Sequence, residues 1–457
     1  MCLLRSSCKK LQFNLGIFNL SSQPSTPLHS DLAAESAPRK EKKCIPYAKP
    51  HITEDDCNAV LKVLNSTQIT RGNVTRALEN KITELCDVPY AIAFSSGSSA
   101  LWCSVVALEC DRTSKAYVPA NTFNATASCA LAQQLDIQLL DVSAQTGMLP
   151  LETLKDIIPL SHCSKENYPT TASKQILLPV HYGGSIFDMP SLSAYLNIPD
   201  MYIIEDAAQA LGASYANGEP VGCCRYSDLT VFSLHAIKSF AAGEGGIVTT
   251  RCKDLFERLL KLRNSGLDLQ QTEHLTSEQK LTPANVAVLS CNFHLTEMQA
   301  ALALSQLDRI EEKRQKRIQL YSTYREAFYK RSSSTMLPLV ENSLPCIAPI
   351  ALTPAVICNE TKFLDNIQRK KRKIQSLLLK DGISTAVHYT PLYRHSLYQD
   401  KLPQLGNNPK LNEIFPGTEL FYHRTLSLPF FDELSKEMVH RIVESFVRAE
   451  KKSGTNR

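Results

Sequence analysis

Short apolar runs alternate with longer amphipathic stretches through the middle of the chain. Runs such as YAIAF, QILLPV and MYIIED have the length of buried strands. The stretches between them carry apolar residues at helical spacing, as Leu101, Val105 and Leu108 do. At least five such strand and helix units precede Asp206. This alternation predicts an α/β fold with a mostly parallel sheet and helices on both faces.

The pattern also divides the chain into four parts. Residues 1–43 form a Ser-, Pro- and Ala-rich extension that we expect to be disordered. Residues 44–270 contain the alternating units of a large domain, and residues 271–335 contain a polar loop and a long helical stretch that begins near Thr296. Residues 336–457 are predicted to form a smaller C-terminal α/β domain.

Composition and charge exclude two classes of partner. The chain has 457 residues, of which 43% are hydrophobic, and no apolar run is long enough to span a bilayer. We therefore expect a soluble globular protein. Residues 1–43 contain seven Lys or Arg and three Asp or Glu, so +4 of the net charge of +5 lies in the extension. The nearly neutral body gives no electrostatic argument for nucleic acid or a membrane surface.

The cysteines predict neither disulfides nor a metal site. Their number is 15, which is odd, and no CxxC pair occurs. We interpret them as reduced, mostly buried thiols of a cytoplasmic protein.

The extension contains no clear targeting signal. LQFNLGIFNL is short, is interrupted by Asn and Gln, and lacks a small-residue cleavage site, which argues against a secretory signal. The first acidic residue is Asp31, as an organellar transit peptide would allow. A disordered tail, or a start site placed too far upstream, is favoured over that alternative.

Two charged residues follow predicted strands in the segment from residue 205 to residue 246. Asp206 ends MYIIED, and Lys238 lies in a polar turn after DLTVFSL. Strand ends in α/β folds open on the cleft that holds the chemistry, so the two residues are candidates for one site. Each residue also has an alternative interpretation without a function. Asp206 could cap a helix, and Lys238 could be a solvated lysine in a turn.

This segment resembles the active-site stretch of the DegT/DnrJ/EryC1/StrS family, the nucleotide-sugar aminotransferases that depend on pyridoxal phosphate (PLP). The ordered motifs that carry the resemblance extend from Ile45 to about residue 450. They imply the fold of the type I PLP-dependent transferases. In this family the lysine of FSxHxxK forms a Schiff base with PLP, and the Asp of EDAAQA pairs with the ring nitrogen. These roles correspond to Lys238 and Asp206, and Gln209 would lie near the phenolic oxygen of the ring.

The resemblance also implies a phosphate site. SSGSSA enters a helix, and the first N–H groups of a helix suit an anion. The family has SGTxAL here, which implies Ser98 and Ser99 as phosphate ligands, together with Ser233. Asn292 would reach the phosphate of the neighbouring subunit, so a homodimer with shared active sites is expected. This chain has His294 where most of the family has Arg, which leaves the contact of that arginine open.

Four other positions have two interpretations each. Phe123 is either a core residue or, as the family implies, the aromatic residue that stacks on the ring. Thr70 and Gly72 lie near the entrance of the substrate pocket in the family, although a turn with Gly is usually only a turn. His181 ends a strand and is either a turn residue or a pocket residue.

The C-terminal part contains a cluster of aromatic and imidazole side chains. These groups can stack on or hydrogen-bond a sugar or uracil ring, or they can pack the two domains together. We select His388 and Tyr389 as substrate candidates. The stretches around them resemble one branch of the family, the transaminases of pseudaminic acid biosynthesis, which aminate C4 of a UDP-linked 4-keto-6-deoxy-N-acetyl-hexosamine. The cluster consists of His388, Tyr389, Tyr393, His395 and Tyr398.

The resemblance implies an aminotransferase that takes its amino group from an amino acid, with glutamate as the expected donor. A different nucleotide-linked keto-sugar is the first alternative. The related 3-dehydratases have His at the Schiff-base position, so Lys238 argues against that activity. A non-catalytic PLP-binding regulator is the alternative from another class, and the presence of both Lys238 and Asp206 argues against it.

Overall fold

The predicted strands form a seven-stranded sheet in the computed structural model. The structure describes residues 44–157, 173–196, 201–268, 285–352, 361–402, 408 and 410–454. The extension, residues 1–43, and most of the predicted polar loop lie outside these residues. The strands of the central sheet are β1 (Tyr90–Phe94), β2 (Lys115–Pro119), β3 (Asp136–Leu140), β4 (Gln175–Leu177), β5 (Met201–Asp206), β6 (Leu229–Ser233) and β7 (Gly246–Thr250).

The topology of this sheet confirms the α/β prediction. The spatial order is β1-β7-β6-β5-β4-β2-β3. The pairs from β6 through β5, β4 and β2 to β3 are parallel, whereas β7 is antiparallel to both of its neighbours, β1 and β6. The carboxyl ends of β5 and β6 therefore lie side by side at one edge of the sheet.

Helices cover both faces of the sheet, because successive strand residues point to opposite sides. The helices of this part are α1 (Glu54–Leu64), α2 (Asn73–Cys86), α3 (Gly97–Ala107), α4 (Asn124–Ala132), α5 (Leu151–Ile157), α6 (Met189–Tyr195), α7 (Lys253–Arg263) and α8 (Glu297–Leu307). Ile92 and Phe94 pack in a core with α3, α4 and α7, whereas Ala91 and Ala93 pack in a second core with α2, α6 and α8.

The long helical stretch predicted near Thr296 consists of two helices. Thr296 is the N-cap of α8, and its hydroxyl accepts a hydrogen bond from the backbone N–H of Gln299. The helix ends at Leu307, and α9 (Ile310–Phe328) follows after Asp308 and Arg309. Between α7 and α8, the short strands β8 (Leu267–Asp268) and β9 (Asn285–Val286) pair with each other.

A third core lies on the C-terminal side. Its sheet contains β10 (Thr335–Met336), β11 (Ala348–Ala351) and β12 (Thr425–Leu428), all antiparallel. Ile45 and Tyr324 also pack in this core, so it includes residues well before position 336, where we predicted the smaller domain to begin. The remaining helices are α10 (Thr361–Lys380), α11 (Ser396–Lys401), α12 (Leu411–Ile414), α13 (Pro416–Arg424) and α14 (Lys436–Gly454).

Among the described residues, we find no helix with the length and apolarity needed to cross a membrane.

Glu297 joins α8 to the start of α2. Its buried carboxylate accepts hydrogen bonds from the backbone N–H of Val74 (2.7 Å) and of Thr75 (3.2 Å), and from the Thr75 hydroxyl. Burial alone would raise the pKa of Glu297, but these hydrogen bonds hold it below its ordinary value. The carboxylate thus satisfies the free N–H groups of a helix that has no side-chain cap of its own.

We predict that Glu297→Ala lowers the free energy of unfolding by about 2 kcal/mol at neutral pH, because buried N–H groups lose a charged acceptor. Urea unfolding followed by circular dichroism measures the change, and Glu84→Ala, at an exposed position of α2, is the control. Because the folded pKa of Glu297 is lowered, the stabilisation is present above the ordinary pKa of glutamate. It is lost as the pH falls through the folded value. Equal unfolding midpoints for the two variants would contradict this role.

Candidate active site

A cavity of about 450 Å³ opens at the carboxyl ends of β5 and β6. The N-termini of α3 and α4 and the segment around residue 388 contribute to its lining. The structure brings most of the predicted site residues together here. Those that line the cavity are Ser98, Phe123, Asp206, Gln209, Ser233, Lys238, His388 and Tyr389.

Lys238 lies in the turn that follows β6 and is half-buried. Its backbone N–H donates to the carbonyl of His235 (2.8 Å), which holds the turn closed. In the part of the chain that the structure describes, no ion pair or hydrogen bond involves the Nζ atom of Lys238. An amine without a partner in a cavity is free to react with a carbonyl compound.

Asp206 ends β5, and its side chain is only 5% exposed. Its Oδ2 atom accepts a hydrogen bond from the Thr126 hydroxyl (2.5 Å), and its Oδ1 atom accepts one from the backbone N–H of Ala208 (3.2 Å). The carboxylate is therefore held on both oxygens at the wall of the cavity.

The preceding residue, Glu205, is fully buried on the other side of β5. It accepts hydrogen bonds from His181 Nε2 (2.9 Å), from the Tyr215 hydroxyl (2.6 Å), from the Thr230 hydroxyl (2.8 Å) and from Ser227. Burial alone would raise the pKa of Glu205, but the hydrogen bond from His181 and those from the hydroxyl donors lower it. The carboxylate is thus the charged centre of a closed network.

His181 combines the two alternatives given for it, because it precedes the helical turn Tyr182–Gly184 and also lines the cavity. Its Nδ1 atom accepts a hydrogen bond from the backbone N–H of Phe187 (3.1 Å), so the ring proton is on Nε2 and is donated to Glu205. The imidazole is therefore fixed in one tautomer and orientation.

The N-terminus of α3 presents backbone N–H groups to the cavity. Ser96 and Ser99 form a capping box, in which each side chain accepts a hydrogen bond from the backbone N–H of the other residue. The Ser99 hydroxyl also donates to the Ser96 carbonyl (2.8 Å), so it is used within the turn and does not line the cavity. The free N–H groups at Gly97 and Ser98, together with the exposed Ser98 hydroxyl, remain for an anion.

The first turn of α3 and the end of β6 approach each other closely at Gly97. A Cβ atom on Gly97 would lie 3.0 Å from the Cβ of Ser233, whose hydroxyl faces the same space. Glycine therefore lets the Ser233 hydroxyl and the first turn of α3 converge on one point.

Phe123 is the N-cap residue of α4 and is 58% exposed. The core interpretation of Phe123 is therefore wrong. Its ring lines the cavity, with its centroid 5.9 Å from that of Tyr389. The turn before α4 directs the ring outward, so an aromatic face is available to a planar ligand.

Tyr389 and Gln209 form one contact across the cavity. The Gln209 Nε2 atom donates to the Tyr389 hydroxyl (3.3 Å), and the Gln209 Oε1 atom accepts from the backbone N–H of Gly183 (2.8 Å). The backbone N–H of Tyr389 donates to Asn121 Oδ1 (2.9 Å). Burial raises the pKa of Tyr389, so the phenol is protonated at neutral pH.

His388 is neutral, and both of its ring nitrogens have partners. Nδ1 contacts the Ser427 hydroxyl (2.9 Å), and Nε2 contacts the Tyr47 hydroxyl (3.3 Å). Burial, and then the charge of Lys238, lower the pKa of His388 to about 4. The imidazole therefore offers its ring surface to the cavity, because its nitrogens are already hydrogen-bonded.

The other members of the aromatic cluster lie elsewhere. The Tyr393 hydroxyl donates to the buried carboxylate of Glu419 (2.6 Å), and the Tyr398 hydroxyl donates to Asn124 Oδ1 (2.8 Å). His395 is exposed. For Tyr393 and Tyr398, the packing alternative describes the structure.

Thr70, Gly72 and Asn292 do not line the cavity that contains Lys238. Asn292 is exposed, and its Oδ1 atom accepts a hydrogen bond from the backbone N–H of His294 (3.1 Å). Thr70 forms a bridge with Thr296. A Cβ atom on Gly72 would lie 2.7 Å from Glu297 Oε2, so packing explains this glycine.

His294 lines a separate cavity of about 410 Å³, together with Gly72, Arg71 and Arg263. Its Nε2 atom contacts Asn264 Oδ1 (3.0 Å). Burial, followed by the charges of Arg263 and Arg71, lowers its pKa to about 4. His294 is therefore uncharged at neutral pH and does not replace the positive charge of an arginine.

Thr126 is a functional candidate that we did not predict from the sequence. The sequence contains one feature that points to it. Thr122 and Thr126 are four residues apart around the start of a helix and therefore share one face. Nothing in this spacing shows that the face meets Asp206, which is 80 residues away in the chain.

Comparisons with known proteins agree with this arrangement. Residues 50–447 match the DegT/DnrJ/EryC1/StrS aminotransferase family. The solved structure of Helicobacter pylori PseC, an aminotransferase involved in the biosynthesis of pseudoaminic acid, is 28% identical, with a TM-score of 0.75. The match covers 90% of this chain and 100% of that one.

Two further relatives extend the comparison. A Streptococcus pneumoniae protein solved with pyridoxamine phosphate shares the fold, with 24% identity, a TM-score of 0.76 and coverage of 90% of this chain and 100% of that one. The same protein has also been solved with PLP. An uncharacterized protein of Methanocaldococcus jannaschii is 26% identical over 407 residues, which are 88% of this chain and 96% of the relative.

We predict that Lys238 forms the covalent bond to PLP, because its amine has no partner in the cavity. Added PLP gives a visible absorption band in the wild type, and borohydride reduction followed by peptide mapping finds the label on Lys238. Lys238→Ala forms no such band. Lys253→Ala, at an exposed position of α7, keeps it. A label on another lysine would contradict the assignment.

Proposed function

The chain belongs to the DegT/DnrJ/EryC1/StrS aminotransferase family, and from this premise we propose which amino group it transfers and to which sugar. The donor is an amino acid, L-glutamate. The acceptor is C4 of a UDP-linked 4-keto-6-deoxy-N-acetyl-hexosamine that is used in surface-sugar biosynthesis. The observation that carries the proposal is the unpaired amine of Lys238, which shares one cavity with the Asp206 carboxylate and the N-terminus of α3.

The cavity suits PLP, the cofactor of this family. An amine, a carboxylate and a helix N-terminus are the groups that an aldehyde, a ring nitrogen and a phosphate require. Gly97 leaves room where a Cβ atom would meet Ser233, so the phosphate pocket is open to the backbone of α3. In this proposal Ser98 and Ser233 hold the phosphate, Gln209 lies near the phenolic oxygen, and Phe123 stacks on the ring.

When bound, PLP supplies an aldehyde that exchanges amines and a protonated ring that withdraws electrons from the reacting carbon. Lys238 first holds the cofactor. Once amine exchange releases it, its Nζ atom would move a proton from the donor carbon that bears the amino group to the aldehyde carbon of the cofactor. In the second half of the transfer it would move a proton from that cofactor carbon to the sugar C4 atom. The turn that contains Lys238 keeps this amine in the cavity in both roles.

Asp206 keeps the cofactor's ring nitrogen protonated. A carboxylate held on both oxygens and almost fully buried stabilises a positive charge beside it more strongly than an exposed one does. The carboxylate and the amine of the site thus come from neighbouring strands, because Asp206 ends β5 and Lys238 lies in the turn that follows β6.

Two observations support an amino-sugar product: the similarity to PseC, and an aromatic wall of the cavity that His388 and Tyr389 form. PseC acts in the biosynthesis of pseudoaminic acid and is 28% identical over nearly the whole chain. Tyr389 and His388 present ring surfaces to the cavity, which suit the apolar face of a sugar. A different nucleotide-linked keto-sugar is the second candidate, because this chain has His294 where most of the family has Arg.

A homodimer with shared sites is part of this proposal. Asn292 is exposed, and its Oδ1 atom accepts a hydrogen bond from the backbone of its own chain. The Nδ2 atom is left to donate to a phosphate in the neighbouring subunit. The exposed apolar side chains of Val286 and Leu289 lie on the same segment and would be covered by such a contact.

We predict that L-glutamate bleaches the visible band of the PLP-loaded protein and that the UDP-linked 4-keto-sugar restores it. Each half of the transfer changes the cofactor between two forms that differ in absorption. Stopped-flow absorption measures both halves, and D-glutamate is the control. If glutamate bleaches the band but only another nucleotide-linked keto-sugar restores it, the second candidate replaces the first. If no amino acid bleaches it, the aminotransferase proposal fails.

We predict that mixing the inactive variants Lys238→Ala and Asn292→Ala restores about one quarter of the wild-type activity. Half of the dimers are then mixed, and each mixed dimer has one site with both native residues. Turnover after subunit exchange measures the recovery. If Asn292 serves the cavity of its own chain, or if the active protein is a monomer, mixing restores nothing.

A further inference from the structure

The first turn of α4 contacts Asp206 directly. Phe123 is the N-cap, and Thr126 is the third residue of the helix. Thr126 is fully buried, and its hydroxyl lies 2.5 Å from Asp206 Oδ2. A neutral hydroxyl in contact with a carboxylate at this distance forms a strong, charge-assisted hydrogen bond.

The direction of each hydrogen bond follows from the groups present. An ionised carboxylate only accepts, so the Thr126 hydroxyl donates its one proton to Asp206. The contact between the hydroxyls of Thr122 and Thr126 (2.8 Å) must then use the proton of Thr122. The result is a chain of donors from Thr122 through Thr126 to Asp206, in which each hydrogen bond polarises the next.

These hydrogen bonds set the plane of the carboxylate. The terminal torsion of an aspartate has a broad preference, so the side chain by itself does not fix that plane. Thr126 holds one oxygen of Asp206, and the backbone N–H of Ala208 holds the other. Each oxygen keeps a further lone pair, which can accept a proton donor in the cavity.

We propose that Thr126 is a positioning residue that orients Asp206 toward the ring nitrogen of the cofactor, with Thr122 completing the donor chain. This inference rests on the proposed function, because it assumes that Asp206 faces that nitrogen. The same helical turn carries Phe123 at the cavity wall, so one element places both the ring surface and the carboxylate.

The chain contains a matched control for this contact. Thr418 is fully buried in the first turn of α13, and its hydroxyl donates to Asp141 Oδ1 (2.7 Å). Neither Thr418 nor Asp141 lines the cavity of Lys238. Replacing either threonine by valine therefore removes the same kind of hydrogen bond, and only one replacement affects Asp206.

The test compares Thr126→Val, Thr126→Ser, Thr418→Val and Asp206→Asn with the wild type. Equilibrium dialysis gives the dissociation constant of PLP, and absorption spectra from pH 5 to pH 10 give the midpoint at which the visible band titrates. We expect Thr126→Val to weaken PLP binding about tenfold, because a carboxylate that is not held in one plane makes a weaker charge-assisted hydrogen bond with the ring nitrogen. We also expect it to raise the midpoint. The visible band titrates with the Schiff-base nitrogen, which becomes more basic when the ring nitrogen is less fully protonated and withdraws fewer electrons.

The other variants distinguish a change in the orientation of Asp206 from a general loss of stability. Thr126→Ser keeps the hydroxyl and returns both readouts close to the wild-type values. Thr418→Val lowers the melting temperature as much as Thr126→Val does but leaves both readouts unchanged. Asp206→Asn gives the largest change in both.

Two results overturn the inference in different ways. If Asp206→Asn changes both readouts and Thr126→Val changes neither, Asp206 acts without Thr126, and the proposed function is unaffected. If the wild type forms no visible band with PLP, the proposed function fails, and the role of Thr126 fails with it.

Discussion

The arrangement of the site depends on the burial of one charge, that of Glu205. A carboxylate removed from water costs several kcal/mol unless donors replace the solvent. Here the donors are His181, Tyr215, Ser227 and Thr230, which come from separate segments around β5. These segments must converge for the chain to fold. Their convergence fixes the end of β5 and, with it, the residue that follows Glu205.

Successive residues of a strand point to opposite sides, so a buried Glu205 places Asp206 toward the cavity. The end of β6 lies beside it, and the turn after β6 brings Lys238 to the same space. The antiparallel strand β7 then packs against the loop before α3, where a Cβ atom on Gly246 would lie 2.3 Å from the Ser96 carbonyl. The ends of β5 and β6 thus bring Asp206 and Lys238 together, and the close contact at Gly246 brings the N-terminus of α3 to the same cavity.

The segment around residue 388 completes the cavity through a few long-range contacts. The Tyr182 hydroxyl donates to the His388 carbonyl (2.8 Å), and the Tyr389 backbone donates to Asn121. Both hydrogen bonds join the segment around residue 388 to loops at the edge of the central sheet. They hold the aromatic wall over the cavity, and they explain why His388 and Tyr389 differ from Tyr393 and Tyr398, which lie in the packed interior.

The sequence alone determined the α/β architecture, the order of the motifs and the residues whose chemistry the cavity brings together. Alternating apolar runs report local burial, and strand ends in a parallel sheet share one edge, so Asp206 and Lys238 could be paired from the pattern. The roles of Ser99, Phe123 and Thr126 were decided only by the tertiary structure. Each depends on where a side chain points at a helix start, and that direction follows from contacts with distant segments, which local periodicity does not encode. The Ser99 hydroxyl closes a capping box, the Phe123 ring faces outward, and Thr126 meets a carboxylate on a different strand.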